Sequence, residues 1–176
     1  MGWTTSWNWD SANDVKRDLL RVDTWGNGYE IIDHSSYGSE FYMAVKKPDG
    51  EVFIAVYLIK GYRGNDGQTE WGYKDMDSSC FPYYFNCPEK LLKLSTVKDE
   101  MSLRWIEECR KKRKHKSTVK KFLTSLKAGD KIMVDGREYK FHFFHKGQPC
   151  LSIDNGTIYR YTLRSQLGWS EFYKVK

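Results

Sequence analysis

The sequence has few cysteines, and none of them form a pair at metal-binding spacing. The four are far apart and include no CxxC unit: Cys80, Cys87, Cys109 and Cys150. Structural zinc sites and disulfide frameworks need closer or more regular spacing. We therefore expect free, mostly buried thiols in a cytoplasmic protein, with no metal or other cofactor.

Long apolar runs are also missing. No stretch approaches the roughly 20 apolar residues that a membrane-spanning helix needs, and no signal-peptide core follows the first residues. The sequence has no Gly-rich phosphate loop, no Ser-centred nucleophile elbow and no HExxH zinc motif. We expect no membrane partner, and enzymatic activity is disfavoured but left open.

Positive charge is present but unevenly distributed. The 176 residues have a net charge of +6. Residues 1–95 contain 10 Lys/Arg against 14 Asp/Glu, residues 96–127 contain 11 against 4, and residues 128–176 contain 8 against 5. Such asymmetry predicts an anionic partner for one face only.

The first 95 residues have the pattern of an α+β domain. Ser11 followed by Asp14 resembles a capping box, which predicts a helix over about 11–22. Apolar runs separated by short turns predict strands at 29–36, 41–46 and 52–59 in an antiparallel meander. The last run has no polar interruption, so we expect a central strand covered on both faces, one of them by the first helix.

An aromatic stretch follows at 71–88. Rings, prolines and carboxylates alternate there, which predicts an ordered connection between the sheet and the helices, reached through a loop at 61–70. Trp71, Lys74, Asp75 and Asp77 are a candidate second contact surface. Asp75 and Asp77 would share one side of an extended segment and suit a hard cation, although capping or salt bridging is the simpler interpretation.

The segment 96–127 is the basic helical part of the chain. We predict one helix over about 97–115, capped by Thr96, and another that starts at Ser117. Their cations are the leading candidates for contact with nucleic acid or an acidic partner, although a solvated helix end is the simpler interpretation. They are Arg110, Lys111, Lys112, Arg113, Lys114, Lys116, Lys120 and Lys121.

Residues 128–176 predict five short strands and a small SH3-like or OB-like β-barrel, with a hairpin turn at Asn155-Gly156. Its alternating aromatics would stack bases or, more simply, fill the barrel core: Tyr139, Phe141, Phe143, Tyr159 and Tyr161, with Arg160 beside them. Asp130, Glu138 and Lys140 imitate a metal-dependent nuclease motif in an unsuitable hairpin context. His142 and His145 are a poor ligand pair.

Three segments carry a resemblance to a family of small proteins from phages, plasmids and integrated elements. They are 2–6 (GWTTS), 71–77 (WGYKDMD) and 83–88 (YYFNCP), and the run 126–132 (LKAGDKI) is similar to the entry of that family's C-terminal small barrel. The resemblance brings no catalytic residues with it. It implies a mobile-element protein in a bacterial host cell, a setting that includes inhibitors of host defence such as anti-CRISPR proteins.

These observations predict an α+β protein with an antiparallel sheet, basic helices and a small C-terminal barrel. The leading functional hypothesis is an anti-CRISPR-like inhibitor that binds a bacterial RNA-guided nuclease or its guide nucleic acid. One alternative is a general nucleic-acid-binding accessory protein of a phage or plasmid, which would bind RNA or DNA directly. The other is a metal-dependent nuclease.

Overall fold

The structure is a computed structural model. It describes residues 3–6, 8–63, 67–75, 84–153, 157–160 and 171–175. The chain divides into two units, 1–112 and 113–176. The fold is α+β, with an antiparallel sheet in each unit. Among the described residues, no helix is both long enough and apolar enough to cross a membrane.

The first unit is built on a five-stranded antiparallel sheet of order β1-β5-β4-β3-β2. Its strands are β1 (Thr4–Thr5), β2 (Glu30–Tyr37), β3 (Glu40–Lys46), β4 (Val52–Arg63) and β5 (Thr69–Asp75). The predicted three-strand meander is confirmed as β2, β3 and β4. The unit also contains the helices α1 (Ala12–Leu19) and α2 (Glu89–Leu92) and the first half of α3 (Glu100–Thr124).

The two central strands of this sheet are buried on both faces. Alternate residues of β3 and β4, such as Phe41 and Ala55, pack with Val15 and Leu19 of α1. The intervening residues pack with α2 and with the first half of α3. Side chains alternate between the faces of a strand, so an uninterrupted apolar run must be covered twice. The prediction for 52–59 is confirmed.

Helix α1 begins where the sequence predicts. Ser11 is the N-cap, since its Oγ accepts a hydrogen bond from the Asp14 backbone N–H at 3.3 Å and donates one to the Asp14 carboxylate at 2.7 Å. The cap satisfies backbone donors that a helix start leaves free. The helix ends at Leu19, earlier than predicted, and a short 3₁₀ turn follows at Val22–Thr24.

The sheet extends into both ends of the predicted loop at 61–70. Strand β4 runs to Arg63, and β5 pairs with it so that Gly61 lies opposite Trp71. A Cβ on Gly61 would lie 3.2 Å from the Trp71 ring, so the absence of a side chain makes room for the indole. The prediction of a loop was wrong at both ends of this range. Glycine is typical of loops, whereas Gly61 lies in a strand beneath a large aromatic ring.

The predicted boundaries of the basic helices were also wrong. Thr96 bonds to β4 instead, since its Oγ1 accepts the Val52 N–H at 2.8 Å. Asp99 takes the capping position and accepts the Ser102 N–H at 2.8 Å. No helix starts at Ser117, because α3 is continuous from Glu100 to Thr124. The Thr118 hydroxyl donates to the Lys114 carbonyl at 2.9 Å. The helix therefore continues through Ser117 and Thr118.

The second unit is a five-stranded antiparallel sheet covered by the end of α3. Its strands are β6 (Lys131–Val134), β7 (Arg137–His145), β8 (Gln148–Ser152), β9 (Ile158–Arg160) and β10 (Phe172–Lys174), in the order β10-β6-β7-β8-β9. Val119 and Leu123 of α3 pack on its inner face with Tyr139, Phe141 and Leu151. No pairing among the described strands closes the sheet into a barrel. The Asn155-Gly156 turn lies outside the described residues.

The end of the aromatic stretch, 84–88, ties the first sheet to its helices. The Trp105 indole N–H donates to the Tyr84 carbonyl at 3.0 Å. The Tyr42 hydroxyl donates to the Glu40 carboxylate and accepts the Asn86 backbone N–H at 3.1 Å. The Asn86 side-chain amide donates to both Glu40 oxygens at 2.7 and 3.0 Å. Burial, and then the bond to Glu40, raise the pKa of the Tyr42 phenol far above its usual range.

We predict that Tyr42→Phe destabilises the first unit by about 1–3 kcal/mol, because it removes the buried hydroxyl that bonds both the Glu40 carboxylate and the Asn86 backbone N–H. The measurement is urea unfolding followed by tryptophan fluorescence, since six of the seven tryptophans lie in residues 1–112. The control is Tyr29→Phe, whose hydroxyl makes no hydrogen bond among the described residues, and we expect less than about 0.5 kcal/mol from it. Equal stabilities of the two variants would show that the network contributes nothing.

Candidate nucleic-acid interface

The two units differ in charge. Residues 113–176 contain 14 Lys/Arg against 5 Asp/Glu, a net charge of +9, whereas residues 1–112 contain 15 against 18, a net charge of −3. The boundary between the units falls inside the basic run of α3, after Lys112. An anionic partner would therefore be attracted to the second unit rather than to the chain as a whole.

The first three candidate cations belong to the first unit and already have partners. Arg110 forms an ion pair with Glu89 at 3.2 Å. Lys111 lies 3.2 Å from Glu107 and 2.9 Å from Glu108, and the hydrogen bonds to these two carboxylates raise the pKa of its ammonium group. Lys112 lies over the Phe85 ring, 6.0 Å from its centroid. Charge that is paired in this way is less available to a ligand.

Three of the remaining cations are exposed and unpaired. No ion pair or hydrogen bond engages the ammonium groups of Lys114, Lys120 and Lys121 anywhere in the part of the chain that the structure describes. Arg113 and Lys116 are half-buried and have interactions of their own. The sequence grouped eight cations together, and the structure separates them by how accessible their charge is.

Helix geometry places two of these lysines on the same side of the second unit. Val119 and Leu123 are buried against the inner face of the second sheet. At 3.6 residues per turn, Lys114 and Lys121 lie on the opposite side of the helix, about 10 Å apart along its axis. Ser117 lies between them, and Lys120 projects from the flank. We call Lys114, Lys120 and Lys121 the helix lysines. They can neutralise phosphates without first breaking an internal ion pair.

The candidate second surface around Trp71 is not one surface. Side chains alternate along β5, so Trp71 and Asp75 lie on the face that α1 covers and Lys74 on the other. Asp75 pairs across the sheet with Tyr57, whose pKa is raised by burial and then by the Asp75 charge. Asp77 lies outside the described residues. The alternation of side chains along β5 accounts for the positions of the described residues of this group.

The two nuclease-like acids, Asp130 and Glu138, are paired with different lysines. Asp130 forms an ion pair with Lys174 at 2.6 Å, and its pKa is lowered first by a hydrogen bond from the Lys127 backbone and then by Lys174. Glu138 forms an ion pair with Lys131 at 2.8 Å. No group of three His, Cys, Asp or Glu residues suited to a metal occurs within the described ranges. Cys87, Cys109 and Cys150 are free and buried, whereas Cys80 lies outside those ranges.

On the outer face of the second sheet, the structure brings together residues that sequence reasoning considered only separately. His142 bonds to Ser152, with 2.7 Å between Nε2 and Oγ, and Phe143 is exposed. The alternation of aromatics predicted Phe143 on the same side as Tyr139 and Phe141, which lie in the core. The available signal was the doublet Phe143-Phe144, because two consecutive aromatics break a strict alternation.

Strand β1 pairs with β5 so that Thr5 lies opposite Gly72. A Cβ on Gly72 would lie 2.6 Å from the Thr4 carbonyl oxygen and 2.9 Å from the Thr5 methyl. We predict that Gly72→Ala displaces β1 and destabilises the first unit by about 1–3 kcal/mol, measured by urea unfolding and by amide exchange at Thr5.

The double variant Gly72→Ala, Thr5→Ala separates the two contacts. Removing the Thr5 methyl leaves the backbone carbonyl of Thr4 in place, so we expect no recovery of stability. Wild-type stability and exchange in Gly72→Ala would instead mean that β1 does not constrain this glycine.

No protein-family model matches the chain, and comparison with curated proteins and with solved structures finds no match. The chemistry of the described residues and the resemblance in sequence are therefore the two grounds on which a function can be argued.

Proposed function

We propose that the chain binds the nucleic acid of a bacterial nucleoprotein through the helix lysines, and that it acts as an inhibitor of an RNA-guided nuclease. The observation that carries this proposal is the set of three exposed, unpaired ammonium groups on α3 within a unit of net charge +9. Binding of this kind neutralises phosphates and releases counterions, so it is strongly salt-dependent and independent of base sequence.

The pattern of ion pairs favours an anionic ligand over simple solvation. In the first unit, each basic residue from Arg110 to Lys112 has a carboxylate or ring partner nearby. The helix lysines have none among the described residues, and they lie within two turns of one another. Like charges at this spacing repel each other, and a phosphate backbone relieves the repulsion.

The nuclease as a partner rests on the resemblance to mobile-element proteins. The same lysines would also serve a general nucleic-acid-binding accessory protein, which remains the second candidate. A metal-dependent nuclease has less support, because Asp130 and Glu138 are each engaged by a different lysine.

A small SH3-like or OB-like barrel in the second unit is part of the same proposal. It is supported by five short antiparallel strands whose inner face packs with α3 in one core. OB-like sheets are a common platform for nucleic acids.

We predict that the double variant Lys114→Glu, Lys121→Glu weakens inhibition by about 10- to 100-fold, because it removes two phosphate contacts and adds repulsion. The assay is cleavage of target DNA by purified RNA-guided nucleases of several types, with guide and target resolved on a denaturing gel. Protected target with an intact guide is the expected wild-type result.

The matched control is Lys93→Glu, Lys98→Glu, which makes the same charge change at two exposed lysines of the first unit. We expect it to inhibit like the wild type. Unchanged cleavage by every nuclease would refute the inhibitor, and salt-dependent binding of free RNA or DNA would then favour the accessory protein. Equal loss in both double variants would show that net charge, and not the helix lysines, determines binding.

A further inference from the structure

Strand β7 contains a β-bulge. Phe141 pairs with Leu151 of β8, and the next aligned pair is Phe143 with Cys150, so β7 has one residue more than its partner. The extra residue is His142. A bulge of this kind redirects side chains and is common beside functional sites.

The bulge turns Phe143 out of the core. Leu151 is buried in the core of the second unit, so Cys150 and its partner Phe143 lie on the opposite, outer face. Without the bulge, Phe143 would share the inner face with Phe141. Its side chain is 51% exposed. The Phe144 ring is 43% exposed and lies on the inner side, 5.0 Å from the Phe141 ring. The Phe143 ring is therefore the one that the outer face offers to a ligand.

The same outer face brings two lysines together. Lys131 of β6 and Lys140 of β7 are directly opposite partners across the sheet, an arrangement that is destabilising for like charges. Glu138 neutralises Lys131 at 2.8 Å. Lys140 is exposed and has no ion pair or hydrogen bond from its ammonium group within the described ranges. Lys140 is therefore the ammonium group of this pair that is available to an anion.

A cavity of about 310 Å³ lies beside these lysines. Its lining includes Lys131, Lys140, His142 and Ser152. Ser152 is only 6% exposed, and its hydroxyl holds the His142 imidazole through the 2.7 Å contact. The Glu138 carboxylate also lines the cavity and is paired with Lys131. Lys140, His142 and Ser152 are therefore the groups left to contact a phosphate.

We infer that this outer face, made of Lys131, Lys140, His142, Phe143 and Ser152, binds a phosphate and the adjoining base of a single-stranded nucleic acid. The phosphate lies in the cavity against Lys140, and the base stacks on Phe143. Three strand residues span at most about 10 Å, which is within reach of one nucleotide. A single strand is required because the bases of a duplex do not offer their faces to a side chain.

This inference rests on the proposed function, since it names the form of nucleic acid that the second unit takes. It concerns a different surface, because α3 covers the inner face of the sheet through Val119 and Leu123. The two surfaces have different signatures. Contact with the helix lysines depends on charge alone, whereas contact with the outer face also depends on an aromatic ring.

The test measures the binding of fluorescein-labelled dT15 and U15, and of a 15-base-pair duplex, by anisotropy over a range of salt concentrations. We expect Phe143→Leu to weaken single-strand binding by about 5- to 100-fold without changing the salt slope. We expect Lys140→Glu to lower the slope for single strands by about one. Duplex binding should be unchanged in Phe143→Leu.

Phe144→Leu is the matched control, since this neighbouring phenylalanine packs on the inner side, and its single-strand affinity should stay within about twofold of the wild type. Wild-type affinity in Phe143→Leu would overturn the inference, as would an equal loss for single strand and duplex. Loss of binding only in Lys114→Glu, Lys121→Glu would leave the proposed function standing and refute the outer-face site. A wild-type chain that binds no oligonucleotide would refute both.

Discussion

Two-sided burial of β3 and β4 is the constraint on which the first unit depends. Both strands lack a solvent-facing side, so helices must cover them twice, α1 on one face and α2 with the start of α3 on the other. The network of Glu40, Tyr42 and Asn86 then fixes the chain that leads into those helices. The early turns of α3 are thereby held against the first sheet by Trp105 and Cys109.

The distribution of ion pairs gives one helix two chemical characters. Arg110 and Lys111 have carboxylates within 3.2 Å, so contact with a phosphate there would exchange one ion pair for another. Exchange of that kind gains little free energy near a protein surface. The helix lysines have no such partner among the described residues, so contact with a phosphate there would gain from counterion release without the loss of an ion pair. Accessible charge, not the number of cations, is therefore the basis of the proposal for the helix lysines.

Local patterns in the sequence were sufficient for the cap at Ser11, the buried run of β4 and the α+β class, because each depends on residues close together in the chain. The pairing of β1 with β5 could not be predicted from local patterns, because it joins Thr5 to Gly72, which are far apart in the sequence. Continuity through Ser117 was missed because a cap and an interior hydroxyl look alike in sequence. The basic residues were identifiable from the sequence, but their availability was not, because it depends on the distant residues Glu89 and Phe85.

The bulge in β7 shows how one inserted residue could determine the kind of ligand. A regular strand would bury Phe143 and leave an outer face of lysines, able to attract any phosphate, paired or unpaired. With His142 inserted, the same face presents the Phe143 ring beside Lys140. An aromatic side chain can stack only on a base that is not already stacked within a duplex. The outer face and the helix lysines would then differ in what they require of a nucleic acid, an unstacked base in one case and phosphate charge alone in the other.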